Sequence, residues 1–445
     1  LATLQRLLAD PALRSAALQT VAVALLACIA ASLVAVPLAV LASRGSAPVR
    51  WLIGVLGMLP LIMPAFLTAA LARHLHQVWD LQPLGDAFAA FKLPDGDLVV
   101  LIVVFALHYF PVILFCVAAS LARIDRTLEE TARNLGATTP TVWWRVVLPL
   151  AGPGYLMGVV LVLLRIIEDA ATPLVLGVDR MLAPQLLLRL AETGPFDAPL
   201  RAGALVLLLL SALLTAMAWS ALQQRPGDDR DMTIAPARWR SVPAGALLPA
   251  VPLVLLASLA LLPLAGLTLL ALGGGSAATL SPADLAITES IAHLRAQQPG
   301  LPANLLYLGA AGALTLLGGW AFGAAGAARG PLPAATRCTA QAMLAVPGVV
   351  LAMGYLLLAE RLGQPLSDAS PAWVALAVLV AIKQLPWAQR LLAGPLQGLR
   401  RELAAARSLG AGAAARLLYI GLPALAGLLA ATFLLGAMAG LVELS

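Results

Sequence analysis

Six ionisable residues stand within or at the ends of long apolar runs: His108, Arg165, Glu168, Asp169, Lys383 and Glu443. Charge at bilayer depth is expensive, so such residues mark a solute or ion path by default. A structural role competes with that reading for Arg165, which precedes Asp169 by four residues and can pair with it on one helix face. His74, His76 and Asp80 are the one metal-like group. Three scattered ligands fix no coordination geometry, so they read as a solvated interfacial loop and no metal site is predicted. Cys28, Cys116 and Cys338 show neither metal spacing nor a disulfide framework. The chain has no G-x-x-x-x-G-K-[ST] stretch, and neither Lys92 nor Lys383 follows a glycine. ATP phosphates therefore have no P-loop here. H-E-x-x-H and G-x-S-x-G are also missing, so no catalytic residue and no cofactor is assigned to this chain.

The elements that position these groups are membrane helices. Of 445 residues, 61% are hydrophobic and 11% charged, which excludes an ordinary soluble domain. Apolar runs long enough to span lie at 15–41, 51–71, 98–121, 150–167, 201–222, 242–272, 301–322, 335–359, 373–392 and 424–445. Pro60 and Pro64 interrupt the second, and Pro347 lies within the eighth. Residues 168–199 are mixed and proline-rich. Residues 281–295 read as a helix too polar to span. The fold class is all-α: a polytopic transmembrane bundle in two halves, 1–222 and 242–445, joined by a polar linker at 223–241. The net charge of +6 is carried almost wholly by arginine, and it reads as loops near anionic membrane lipid, not as a nucleic-acid surface.

One polar stretch occurs twice. Glu130-Thr131-Ala132, then Gly136, then Leu148-Pro149 is matched by Ala404-Ala405-Ala406, Gly410 and Leu422-Pro423, each 274 residues later. Arg133 and Leu135 return as Arg407 and Leu409. The chemistry predicts a short helix ending at a left-handed glycine. A second short helix comes next, capped by Thr139 with Pro140 in its first turn and ended by Pro149. Asp169 and Glu443 share the 274 offset, and His108-Tyr-Phe-Pro111 corresponds to Lys383-Gln-Leu-Pro386. Both halves run the same way, as in a parallel repeat about an axis along the membrane normal. Asp169 and Glu443 each lie about 20 residues past their Leu-Pro, a length that crosses most of the hydrocarbon, so they are expected to face one another near the outer mouth of a pore.

The duplicated stretch resembles the coupling loop of permease subunits of binding-protein-dependent ABC importers: Glu-Ala-Ala, three residues, Gly, nine residues, Ile, one residue, Leu-Pro. Thr131 replaces the first alanine and Val146 the isoleucine in the first copy, and Ala404 replaces the glutamate in the second, with Glu402 two residues earlier. The resemblance implies a multi-pass protein of the bacterial inner membrane with two fused permease halves. Two ATPase subunits would bind ATP and grip Glu130, Thr131, Ala132, Gly136, Leu148, Pro149 and their counterparts Ala404, Ala405, Ala406, Gly410, Leu422 and Pro423. A periplasmic binding protein would deliver the solute, and Asp169, Glu443, Glu168, His108 and Lys383 would line its path. The stretches at 168–177 and 181–189 look most like the ferric iron and 2-aminoethylphosphonate branch, with thiamine as an alternative. Placing the duplicated stretches inside puts seventeen basic residues there and nine outside, in the positive-inside direction. Leu1 then falls outside, and a preceding span is expected beyond the sequence given. An ion-coupled secondary transporter would need no docking stretch, and a membrane scaffold would need no matched acids at pore depth.

Overall fold

In hydrocarbon every backbone N–H and C=O must be paired within its own segment, so the apolar runs fold as helices. The computed structural model describes residues 11–62, 64–78, 96–122, 124–193, 197–223, 265, 301–326, 332–361 and 372–443, and among these there is no strand. The chain divides into two compact units, Leu1–Gly274 and Gly275–Ser445. Among the described residues seven helices are long and apolar enough to cross a membrane, and nine spans result if each of two bent pairs counts as one. The protein is a polytopic helical bundle. The predicted linker from 224 onward, the span at 242–272 apart from Ala265, and the helix at 281–295 lie outside the described residues, as do Asp80 and Lys92.

The first unit contains α1 (Pro11–Arg44), α2 (Ala47–Ile62), α3 (Ala65–Val78), α4 (Gly96–Ala122), α5 (Arg126–Asn134), α6 (Thr139–Val142), α7 (Leu148–Glu168), α8 (Ala171–Val175), α9 (Leu182–Thr193) and α10 (Ala198–Gln223). Its core is α1, α4 and α7 packed on one another, with α10 against α7. Glycine lets α4 and α7 meet closely, the usual device where no hydrophobic force drives helices together. A methyl on Gly154 would meet Ser120 and the Cys116 carbonyl oxygen, and one on Gly158 would sit 2.9 Å from Ile113 Cα. The mixed segment 168–199 holds α8 and α9. Buried Thr20 in α1 ties this elbow down: its hydroxyl donates to Ala16 O and accepts from Leu182 N, both at 2.8 Å. Arg73 in α3 donates to Val175 O at 3.0 Å, meeting a carbonyl that the end of α8 leaves open.

The second unit repeats the plan with α11 (Leu301–Gly326), α12 (Leu332–Leu344), α13 (Gly348–Arg361), α14 (Ala372–Ser408), α15 (Ala413–Arg416) and α16 (Leu422–Glu443). Here α11, α14 and α16 form the core. The runs at 51–71 and 335–359, expected as spans interrupted by proline, are each bent: α2 and α3 by 78°, α12 and α13 by 96°. The breaks fall at Pro64 and Pro347, because the residue before proline is driven out of the helical region. Pro60 stays inside α2. In the second unit Lys383 Nζ donates to Val346 O at 3.2 Å, satisfying a carbonyl at that break.

The helix expected at 373–392 continues to Ser408. Leu392, Leu396 and Leu399 are buried with Leu425, and Leu403 and Ile420 pack on them. The counterparts of Leu399 and Leu403, by the 274 offset, are Asp125 and Glu129. Asp125 instead caps a new helix, and α4 ends at Ala122.

Gly154→Val should overpack the α4–α7 seam by about 1–3 kcal/mol. Gly152 has nothing within 4 Å of its Cβ direction. Thermal unfolding in detergent should show a lowered Tm for Gly154→Val and an unchanged one for Gly152→Ala.

Candidate functional site

The duplicated stretch closes in the same way in both units. Asp125, in extended conformation, begins α5 by accepting from Thr127 N at 2.9 Å. The hydrogen bonds from the Thr127 backbone and side chain hold this carboxyl below the ordinary carboxylate range. At the other end Ala137 N donates to Ala132 O at 3.0 Å and Gly136 N to Arg133 O at 2.9 Å. Gly136 has φ +87°. This pairing of a six-to-one and a five-to-two bond closes a helix through a left-handed residue. In the second unit Ala411 N donates to Ala406 O at 3.0 Å and Gly410 N to Arg407 O at 3.1 Å, with φ +84° at Gly410. A Cβ at either glycine would meet nothing within 4 Å, so the demand for glycine comes from the backbone alone.

The segment beyond the glycine departs from the sequence expectation. Thr138, not Thr139, is the N-terminal cap of α6; its hydroxyl bonds the Thr141 hydroxyl at 2.9 Å and makes no cap to the backbone. Pro149 does not end the helix. The chain passes through a π turn, Trp143–Val147, and runs directly into α7. Leu148 N–H reaches back five residues to Trp143 O. Widening the turn moves aside the carbonyl that the Pro149 ring would strike, and proline in the first turn of α7 loses no intrahelical bond. The second unit does the same with α15, a π turn at Leu417–Gly421 and α16, each bound lying 274 residues on up to Leu422.

These turns present side chains outward. Glu130, Thr131, Pro149, Ala404, Ala405 and Pro423 are exposed, Ala132 and Ala406 partly so. The side chain of Leu422 lies outside the described residues. Large apolar groups stand out on both: Leu135 at 84% and Trp144 at 72% exposure in one, Leu409 at 87% and Tyr419 at 81% in the other. The sequence reading did not single out Leu135 and Leu409 as a surface; their shared place before the left-handed glycine was the available signal. Trp143 is half-buried, so the two tryptophans divide between packing and display.

Each ionisable group in the spans is described within its own unit. Lys383 serves the break at Val346. Glu443 ends α16, and its side chain lies outside the described residues, as do those of His74 and His76. Asp169 comes directly after α7, one residue before the N-cap Ala170 of α8, and holds the first turn of α8: Oδ1 accepts from Thr172 N at 2.9 Å and Oδ2 from Thr172 Oγ1 at 2.6 Å. The sequence reading missed this use, although Asp-x-x-Thr is a capping pattern. His108 is buried in α4 with its ring edge-on to Tyr109 at 4.6 Å, and its Nδ1 has no hydrogen-bond partner. Tyr109 lies within electrostatic reach of Asp169, Arg165 and Glu168. Among the described residues no group of three or more His, Cys, Asp and Glu is placed to hold a metal ion.

The molecule is therefore a membrane-spanning helical protein with a duplicated turn, one copy in each unit. Residues 31–225, from within α1 to just past α10, match the family described as the binding-protein-dependent transport system inner membrane component. No curated protein matches the chain. One solved structure resembling it is described as the crystal structure of an amino acid ABC transporter with histidines; it is 16% identical, covers 49% of this chain and 97% of its own, with a TM-score of 0.34.

Valine at a left-handed position costs about 1–2 kcal/mol, and asparagine less. Gly136→Val and Gly410→Val should open the helix ends while Gly136→Asn retains them, read as hydrogen exchange of residues 130–142 and 404–416. Loss of the Asp125 acceptor should free the start of α5. Because its carboxyl is held below its ordinary value, the cap is complete above the ordinary carboxylate range and fails as pH falls through the lowered value. Protection of Thr127 N–H relative to its intrinsic exchange rate should therefore fall on acidification and be lost already at neutral pH in Asp125→Ala.

Proposed function

We propose that the chain is the permease subunit of an ATP-driven, binding-protein-dependent importer of the bacterial inner membrane. The observation that carries this is the duplicated turn, repeated at a fixed offset through the left-handed glycine, the short helix and the π turn. The family match over residues 31–225 supports it independently. In this reading the two knuckles dock on two ATPase subunits, which bind and hydrolyse ATP. A binding protein presents solute at the opposite face, and alternating closure of the two halves moves it across.

Chemistry suits the docking role. Each knuckle combines a closed helix end, an exposed leucine and an exposed aromatic, and a rigid apolar anchor of this kind is what a partner's cleft engages. The sites are unequal: Glu130 offers a carboxylate where the other copy has Ala404. For the solute, the reading favours ferric iron or 2-aminoethylphosphonate over thiamine. Asp169, Glu443, Glu168, His108 and Lys383 are assigned to its path.

Co-expression with candidate ATPases and pull-down on the tagged chain tests the proposal. An ATPase should co-purify, its hydrolysis should rise with loaded binding protein, and Gly136→Val with Gly410→Val should abolish both. Glu130→Ala should weaken association more than Ala404→Gly. Undiminished association in the double glycine variant would falsify the docking assignment.

A further inference from the structure

The bend between α12 and α13 holds a charge. α12 ends at Leu344, and the next two N–H groups reach only three residues back, Ala345 N to Ala342 O at 3.1 Å and Val346 N to Met343 O at 3.3 Å. Leu351 N then donates to Pro347 O at 2.9 Å at the start of α13. Val346 O stands between the two helices, and Pro347 has no N–H to offer the end of α12. Lys383 Nζ donates to Val346 O at 3.2 Å, and a Cβ built on Gly348 would lie 3.9 Å from the same nitrogen. Contacts on both sides of Pro347 thus seat Nζ in the bend itself. Lys383 lies eleven residues past the start of α14, about 16 Å along its axis. Its neighbours Gln384 and Leu385 are buried, and Leu385 abuts Gly318 of α11, so the helix that carries the charge is packed in place. A lysine at bilayer depth is costly and needs a partner that repays it.

We propose that the α12–α13 bend is a monovalent-cation site whose built-in occupant is the ammonium group of Lys383. The last turn of α12 carries partial negative charge and carbonyls that its own helix does not use. Broken membrane helices of transporters hold a free cation through such half-helix ends and unwound carbonyls. Here the cation is tethered to a neighbouring helix by its side chain. An ammonium suits the place, being a compact point charge with rotatable donors. The start of α13, with partial charge of the opposite sign, meets the same bend, which restricts the site to one single charge. The angle between α12 and α13 is thereby tied to α14, the rod that runs on to the knuckle at Gly410. In the first unit His108 stands at the corresponding place of α4, and its Nδ1 makes no such bond. The site is read from the bend alone; its place beside the solute path rests on the permease reading, in which Lys383 becomes a fixed positive charge held at a broken helix.

The full chain in nanodiscs is followed by thermal unfolding and by hydrogen exchange of residues 343–351, as wild type, Lys383→Ala and Lys383→Met. The probe is n-propylammonium, the fragment that Lys383→Ala removes, and 1-propanol is its uncharged control. Lys383→Ala should lower the Tm and speed exchange at the bend, and n-propylammonium on the order of 10 mM should restore both, as fits a weak single contact. Propanol should restore neither. The wild type and Lys383→Met, in which the place is filled, should respond to neither compound, and Lys383→Met should remain less stable than the wild type. Equal rescue by propanol marks a packing void and overturns the site. So does the absence of amine rescue, or a Lys383→Met chain as stable as the wild type. If Lys383→Ala does not fold, Lys383→Met decides: faster exchange at 343–351 with the α14 amides unchanged supports the site, and any other exchange pattern overturns it. If rescue fails while an ATPase still co-purifies, the cation site falls and the permease reading stands. If rescue succeeds and no ATPase associates, the reverse holds.

Discussion

A helix that reaches the membrane surface leaves four carbonyls without partners, and the chain must reverse within a few residues to enter the next span. The left-handed glycine answers both demands. Gly136 and Gly410 let the N–H groups of the two residues at the turn fold back on the carbonyls of the last helical turn. With the end closed, the peptide chain leaves in a defined direction, and α6 or α15 starts at a fixed angle. The π turn then passes that direction into a membrane span without a break, although proline stands at its second residue. Remove the positive φ and the short helix, the π turn and the start of α7 lose their common origin.

Much of this was legible because glycine and proline dictate conformation by covalent geometry. Gly136, Gly410, Pro64 and Pro347 marked a turn or a break in the sequence, and the structure bends there. The failures have physical reasons too. Hydrogen bonds reaching five residues back leave no hydrophobic period, so Pro149 read as a terminus. The stretch 393–408 loses its apolar character, which ended the predicted span, but its Leu, Ala, Arg and Glu content favours helix and α14 runs on. Pro111, Pro386 and Pro395 stay within helices because tertiary packing outweighs one missing bond.

The candidate site was legible in part. The six in-span charges were visible as such, but what each touches depends on which helices meet. Asp169 read as one of a matched pore pair; its carboxylate takes both bonds offered by Thr172, in a turn that composition alone left unassigned. Lys383 read as a counterpart of His108, and its bond to Val346 O at a helix break formed by another segment was not visible in the sequence. Long-range neighbours of this kind depend on the register of the α4–α7 glycine seam and on the proline bends, neither of which is a local property.

The two units also place their compliance at different depths. In the first, α4 stops at Ala122 and α5 starts afresh from Asp125, so the shaft and the knuckle helix are separate elements. In the second, α14 is one 37-residue rod of about 55 Å, nearly twice the hydrocarbon thickness. Its weakest sections are Pro386 and Pro395, where a backbone bond is missing. A sideways load on Gly136 has no continuous helix by which to reach α4. The same load on Gly410 acts through a long lever arm and is felt as torque well inside the bundle.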